Sequence, residues 1–236
     1  MFFTTQGFRV RSEKVAYIRG VDIEGPALES LIRSARKQIR TKMQALRLAV
    51  PAAARARRDA AIVERLLGLT EVAEARAVAL FSPMTSKGEI DLGVLEARER
   101  AGGRRVYYPR LSEAAPDPLA VPSLSGELAA AWLPELVPSE AGFLEPPRAA
   151  PAALRGEVDV IVVPALAVSP AGHRLGYGSG FYDRILPGYC PPAFAVAVAY
   201  DFQLMGELPA FDWDFACHAV VTDTRTLRVS GGVASP

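Results

Sequence analysis

The run Val158-Asp159-Val160-Ile161-Val162-Val163-Pro164 leads, after seven intervening residues, into Gly172-His173-Arg174-Leu175-Gly176-Tyr177-Gly178-Ser179-Gly180-Phe181-Tyr182-Asp183-Arg184. The first run is short, continuous and apolar, the pattern of a strand buried on both faces of a parallel sheet. In the second, three glycines alternate with larger residues, an arginine precedes them, and two aromatics and an Asp-Arg pair follow. Glycine enters positive-φ backbone freely and lets a ligand approach the main chain closely. The alternation therefore predicts a loop whose N–H groups point inward to hold an anion, with Asp183 offering a metal ligand and Arg184 a phosphate partner. A tight turn with structural glycines is the plainer alternative; the clustering favours a site.

Outward from this stretch the same alternation of elements continues. Ala77–Phe81, Arg105–Pro109, Ala193–Tyr200 and the short Ala219–Thr222 read as further strands. Leu28, Ile32, Ala35, Ile39, Met43 and Leu46 recur at helical spacing between Pro26 and Pro51. Helices are also predicted over Ala54–Leu67, closed by Gly68, over Leu92–Arg100, and from near Phe181. Strands alternating with helices imply a three-layer α/β/α fold with a mostly parallel central sheet in a single domain. Residues 1–25 read as an extension with one short strand around Val15–Ile18, 26–228 as the domain, and 229–236 as a tail. Within the domain, 112–152 is rich in Pro and Ala and reads as an edge hairpin or lid.

Two features have open readings at this level. Arg36, Arg40 and Arg47 fall along one edge of the first helix's apolar stripe, where they form either a solvated basic face or a row reaching into a cleft. The loop Met84–Asp91 follows a strand and so lies at the ligand edge of an open sheet. Its Glu89 is either a functional carboxylate or a first-turn residue favoured by the helix dipole.

Composition narrows the function classes. A formal net charge of +1 over 236 residues gives no bulk attraction to nucleic acid or an anionic membrane. No segment reaches the ~20 consecutive apolar residues of a membrane span. The N-terminus turns charged at Arg9, Arg11 and Lys14, without a signal-peptide core, and two cysteines make no disulfide framework, so a cytoplasmic protein is expected. With no sequence signal for assembly, the expectation is a monomer or small homo-oligomer. A dinucleotide fingerprint turns directly off its strand, which the seven intervening residues here prevent, and there is no P-loop. Cys217 and His218 are sequence neighbours and seldom share one metal; Cys190 lacks a nearby His and reads as a small buried hydrophobe. What remains is built for phosphate: Arg36, Arg40, Arg174 and the glycine-loop amides, with Asp183 and Asp214 as carboxylates for Mg²⁺. A nucleotide-using enzyme accounts for this set.

Over roughly residues 30–223 the chain resembles the 5-formyltetrahydrofolate cyclo-ligases, also called methenyltetrahydrofolate synthetases. The resemblance rests on Gly172–Arg184, the preceding Asp159–Pro164, Gly142-Phe143-Leu144-Glu145-Pro146, Ser86-Lys87-Gly88-Glu89-Ile90-Asp91, Tyr108-Pro109-Arg110 and Arg36-Lys37-Gln38-Ile39-Arg40. It implies that ATP is bound by Arg36, Arg40, Arg174, Leu175, Gly176, Tyr177, Gly178, Ser179, Gly180, Phe181 and Tyr182, with Arg174 also catalytic. It implies further that folate, polyglutamylated or not, is held by Met84, Glu89 and Tyr177–Phe181, and that Asp183 and Asp214 carry Mg²⁺. The implied reaction is ATP-dependent closure of 5-formyltetrahydrofolate to 5,10-methenyltetrahydrofolate. A folate- and nucleotide-binding regulator on the same fold is the alternative, prompted by Ser169, Ser179 and His218, where the chain departs from the family's pattern.

Overall fold

Alternation within the strands decides how the layers assemble. The computed structural model describes residues 9–11, 15–18, 21–111, 126–131, 135–140 and 142–229. It begins with β1 (Arg9–Arg11), β2 (Val15–Ile18) and β3 (Val21–Glu24), an antiparallel three-stranded sheet, followed by α1 (Gly25–Leu48), α2 (Ala52–Leu67) and α3 (Thr70–Glu74). Next come β4 (Ala77–Ala79), α4 (Gly93–Ala101), β5 (Arg105–Leu111), β6 (Gly126–Ala130) and a small pair, β7 (Val137–Pro138) and β8 (Leu144–Glu145). The second half contains β9 (Val160–Pro164), the hairpin β10 (Ala167–Val168) and β11 (Arg174–Leu175), α5 (Phe181–Tyr189), β12 (Phe194–Val198), β13 (Ala219–Val221) and β14 (Thr226–Arg228). The tail beyond Val229 and the stretch 112–125 lie outside the described residues.

The central sheet has seven strands in the order β14-β13-β12-β9-β4-β5-β6. The five inner strands are parallel, and β6 and β14 pair antiparallel at the edges. This is the mostly parallel α/β sheet expected from the strand–helix alternation. Val78, Val160, Val162, Val196 and Val198 point to one face, against Ile62, Val63 and Leu66 of α2 and Leu95 of α4. Ala77, Ala79, Ile161, Val163, Ala195 and Ala197 point to the other, against Ile185, Leu186 and Tyr189 of α5. The period of two thus sends large side chains one way and mostly small ones the other, leaving room for α5. Pro109 sits inside β5, beyond the part paired with β4, where β5 faces only the edge strand β6.

One expectation changes. α1 does not lie in a flanking layer: Met43 packs on Leu166 and Leu175 of the hairpin segment, and Leu28 and Ile32 pack on Phe211. Leu46, expected on the apolar stripe, is 42% exposed, while Arg36 and Arg47 are buried in its place. The helix caps the carboxyl ends of the strands, where the groups to be covered are loop carbonyls and carboxylates rather than aliphatic side chains.

Strand order places the ligand crevice. From β4 the chain moves to β5 on one side, then returns through β9 to the other side of β4. The loops after β4 and β9 diverge, and that switch point is where open α/β sheets bind ligands. The seven residues separating β9 from the glycine loop are resolved by the β10–β11 hairpin, which runs out and back, with Leu166 N–H donating to the Leu175 carbonyl (2.7 Å). Its turn depends on Gly172 at φ +82°, where an added Cβ would lie 2.2 Å from the Cys217 carbonyl oxygen. Gly172→Ala is expected to combine left-handed strain with overpacking and to lower unfolding stability by at least about 2 kcal/mol. The shift in denaturation midpoint measures it, and an unchanged midpoint would show that the turn can be rebuilt.

Candidate active site

The switch-point cleft encloses about 890 Å³. Arg36, Arg40, Met84, Glu89, Arg174, Gly176–Asp183 and Asp214 all line it, so the structure brings together every site residue expected from the sequence except Leu175. Leu175 packs in the core beside Met43 and Leu166, because alternation along β11 turns it away from Arg174.

The arginine wall comes from α1. Arg36 forms a bidentate pair with Asp214, donating from Nη1 to Oδ2 at 2.7 Å and from Nη2 to Oδ1 at 3.1 Å. Asp214 Oδ2 also accepts the Phe211 N–H at 2.7 Å. One turn on, Arg40 donates from Nε to the Gly176 carbonyl at 2.9 Å. Its guanidinium lies so close to Gly178, at φ +111°, that a Cβ there would sit 3.3 Å from Cζ. Burial, followed by the neighbouring Arg36 charge, lowers the Arg40 pKa, with Asp214 acting in the opposite direction. Two adjacent guanidiniums facing a cleft make an arrangement that an anion relieves. Of the row on α1, Arg36 and Arg40 line the cleft, while Arg47 is buried beside it.

The opposite wall is the loop after β4. Glu89 is only 5% exposed; its Oε2 accepts the Met84 N–H at 2.7 Å, while its Oε1 is buried without a hydrogen-bond partner. Burial raises its pKa, opposed by the Met84 amide, by the Arg47 charge and by the nearby Tyr177 hydroxyl. Glu89 precedes α4 by several residues and faces the cleft, so the helix-dipole reading does not describe it. An orphaned buried carboxylate oxygen costs free energy until a ligand donor meets it.

The glycine loop closes the third side. The Gly176 and Ser179 carbonyls accept from Arg40 and Arg184, so the loop's positive groups are these guanidiniums. Arg174 donates to Asp183 Oδ1 at 2.8 Å, and the same oxygen accepts the Phe215 N–H at 3.1 Å. Tyr177 is held between Arg47, which donates to its hydroxyl, and the Lys87 ammonium, 4.4 Å from the ring centroid. Phe181 meets Phe143 edge-to-face at 6.1 Å.

Several cleft residues were not singled out from the sequence. Phe211 and Trp213 come from a loop without periodicity, while Phe143 and Lys87 fall inside stretches that carry the family resemblance but were given no role there. Arg47 was visible only as one more member of a basic row. The two cysteines are buried, with thiol pKa values pushed up by burial to about 12 for Cys190 and about 11 for Cys217, which suits packing and not nucleophilic attack. His218 accepts the Ala195 N–H on Nδ1 and stacks on Phe194, outside the cleft lining.

A glycine loop and two α1 arginines thus face a buried carboxylate across a cleft at the switch point of a mostly parallel α/β sheet. The sequence profile described as the 5-formyltetrahydrofolate cyclo-ligase family matches residues 32–223, and the chain belongs to that family of ligases. It is 38% identical over 192 residues to a 5-formyltetrahydrofolate cyclo-ligase of Mycolicibacterium smegmatis, covering 80% of this chain and 94% of that one. It is 31% identical over 163 residues to the Escherichia coli K12 protein of the same name, covering 68% and 85%. Among solved structures it is similar to the Aquifex aeolicus 5,10-methenyltetrahydrofolate synthetase, with a TM-score of 0.68 and 27% identity over 85% of this chain and 96% of that one.

A pH dependence follows from Glu89. Its folded-state pKa is raised, so the stability linked to its proton is full below the unfolded pKa and is lost as pH rises through the folded one. Glu89→Gln removes that loss while keeping an acceptor for the Met84 amide. The variant's thermal midpoint is expected to gain on the wild type progressively as pH rises above the ordinary carboxylate range. A gap that stays constant with pH would mean that Glu89 does not titrate in this way.

Proposed function

We propose that the protein closes 5-formyltetrahydrofolate to 5,10-methenyltetrahydrofolate, using ATP with Mg²⁺ and releasing ADP and phosphate. The observation that carries the nucleotide half is Arg40, laid across Gly176 and Gly178 beside a second, like-charged guanidinium. Asp214 already balances Arg36, and a triphosphate supplies a counter-charge for Arg40. For the folate half, the unpartnered Glu89 Oε1 suits the N–H donors of a pterin ring, with Met84 and Phe81 as apolar neighbours in the lining. Membership of the family supports both halves.

The chemistry needs alignment and charge neutralisation more than a nucleophile from the protein. The formyl oxygen is a poor leaving group. In this reading it attacks the γ-phosphorus, ADP departs, N10 adds to the activated formyl carbon and gives up its proton, and phosphate leaves with the former formyl oxygen and that proton. Arg40 and Arg36 neutralise phosphate charge during the transfer, as positioned cations do in phosphoryl transfer generally. Arg174, buried behind Asp183, acts by fixing that carboxylate toward the cleft.

For the metal, the donor chemistry fits a cation held by one protein carboxylate and completed by phosphate and water. Among the described residues no three His, Cys, Asp or Glu groups gather. Asp183 is the better placed of the two expected ligands, since Asp214 has both oxygens engaged by Arg36. Mg²⁺ bound there would supply further neutralisation of phosphate charge. Unpaired buried cysteines agree with a cytoplasmic setting, and no helix among the described residues is long and apolar enough to cross a membrane.

The test is to mix the protein with ATP, Mg²⁺ and 5-formyltetrahydrofolate and follow methenyl absorbance. Absence of product with a working control enzyme would overturn the reading; binding of both ligands without turnover would point to the regulator alternative. Asp183→Asn, which keeps an acceptor for Arg174 but removes its counter-charge, is expected to lower the thermal midpoint and, assayed well below that midpoint, to lower kcat by at least about 100-fold. Near-normal turnover would remove Asp183 from the metal site.

A further inference from the structure

The turn Phe211–Phe215 ahead of β13 carries a feature that neither the glycine loop nor Glu89 explains. Trp213 is 59% exposed, yet it lines the cleft and stacks on Phe211 with 4.5 Å between ring centroids and 9° between planes. The Arg36 and Arg33 guanidiniums also lie over the Phe211 ring, 4.9 and 5.3 Å from its centroid. The turn is tied down on both sides. Asp214 is gripped by the Arg36 fork and bonds back to Phe211, while the Phe215 backbone is held by Asp183 and Arg174. A large indole is thus held in place with much of its surface left open.

We infer that Trp213, supported by its stack on Phe211, is the platform for the purine base of the nucleotide. The assignment rests on the nucleotide reading proposed above. Arg36 links the two parts of the site: its guanidinium, paired with Asp214, lies over the Phe211 ring, and one helical turn on Arg40 faces the expected phosphate site. A pterin is served by the other wall, where the Glu89 oxygen awaits a donor. A flat purine laid on the open indole face covers apolar surface and gains ring stacking, the interaction by which exposed aromatics hold bases without reading their edges.

The test separates base from phosphate. In Mg²⁺ buffer, calorimetric titrations with ATP and with inorganic tripolyphosphate are compared for wild type, Trp213→Ala and Trp213→Phe. Trp213→Ala should weaken ATP binding about tenfold and leave tripolyphosphate within about twofold, while Trp213→Phe keeps most of the affinity. Indole fluorescence, taken as the difference between wild type and Trp213→Phe to subtract Trp132, should be quenched by ATP and not by tripolyphosphate. Equal ATP affinity in wild type and Trp213→Ala, an equal loss for both ligands, or quenching by 5-formyltetrahydrofolate but not by ATP would each overturn the inference. If neither ATP nor tripolyphosphate binds the wild type, the nucleotide reading of the cleft falls and this inference falls with it. If both bind and Trp213→Ala changes neither, only the platform is lost.

Discussion

Arg47 holds the two sides of the crevice to the helix that covers it. Its side chain is 2% exposed, and it donates from Nε to the Lys87 carbonyl at 2.9 Å, from Nη1 to the Ala165 carbonyl at 3.4 Å, and from Nη2 to the Tyr177 hydroxyl. Those acceptors come from the loop after β4, the loop after β9 and the glycine loop. A buried guanidinium is tolerated when its fork finds acceptors, and here the acceptors are the groups that the switch point drives apart. Without such a tie, the last turns of α1 would rest on the apolar seam of Met43 with Leu166 and Leu175, while Arg36 and Arg40 hold the middle of the helix.

Two ion pairs extend the same logic toward the chemistry. Arg36–Asp214 joins α1 to the turn before β13, and Arg174–Asp183 joins β11 to the first turn of α5. Both are largely buried, so removing one partner of either leaves a stranded charge at a cost of about 3–5 kcal/mol. Their arrangement leaves Arg40 crowded against Arg36 on one wall and the Glu89 oxygen unpartnered on the other. The resting site is therefore unsatisfied at two points, one that takes an anion and one that takes a hydrogen-bond donor. A reaction that joins a phosphate donor to a folate needs both kinds of ligand held in one cleft.

Much of this was legible in the chain because the signals are local. Continuous apolar runs such as Val160–Pro164 can only be buried strands, and their alternation with helical segments leaves few topologies besides a parallel sheet. Other elements were not legible. Two-residue strands such as β10 and β11 have no periodicity to detect, so the seven residues after Pro164 told against a dinucleotide fingerprint without revealing a hairpin. β14 alternates too briefly to register. On α1 the apolar spacing pointed to Leu46 as a core residue, whereas the structure exposes it and buries Arg36 and Arg47, because the surface under the helix is made of carbonyls and carboxylates.

The sequence by itself determined the strand–helix alternation, the glycine loop with its flanking Arg174 and Asp183, and the family, since each is written in consecutive residues. Only the tertiary structure decided which partners those residues take. Asp214, which spacing presents as a free metal ligand, is paired with an arginine 178 positions away. Glu89 is a buried carboxylate with one oxygen unused, and Trp213 is an aromatic face held open at the rim. Burial and ion pairing are set by what lies opposite in space, and sequence periodicity reports only which side of an element a residue occupies.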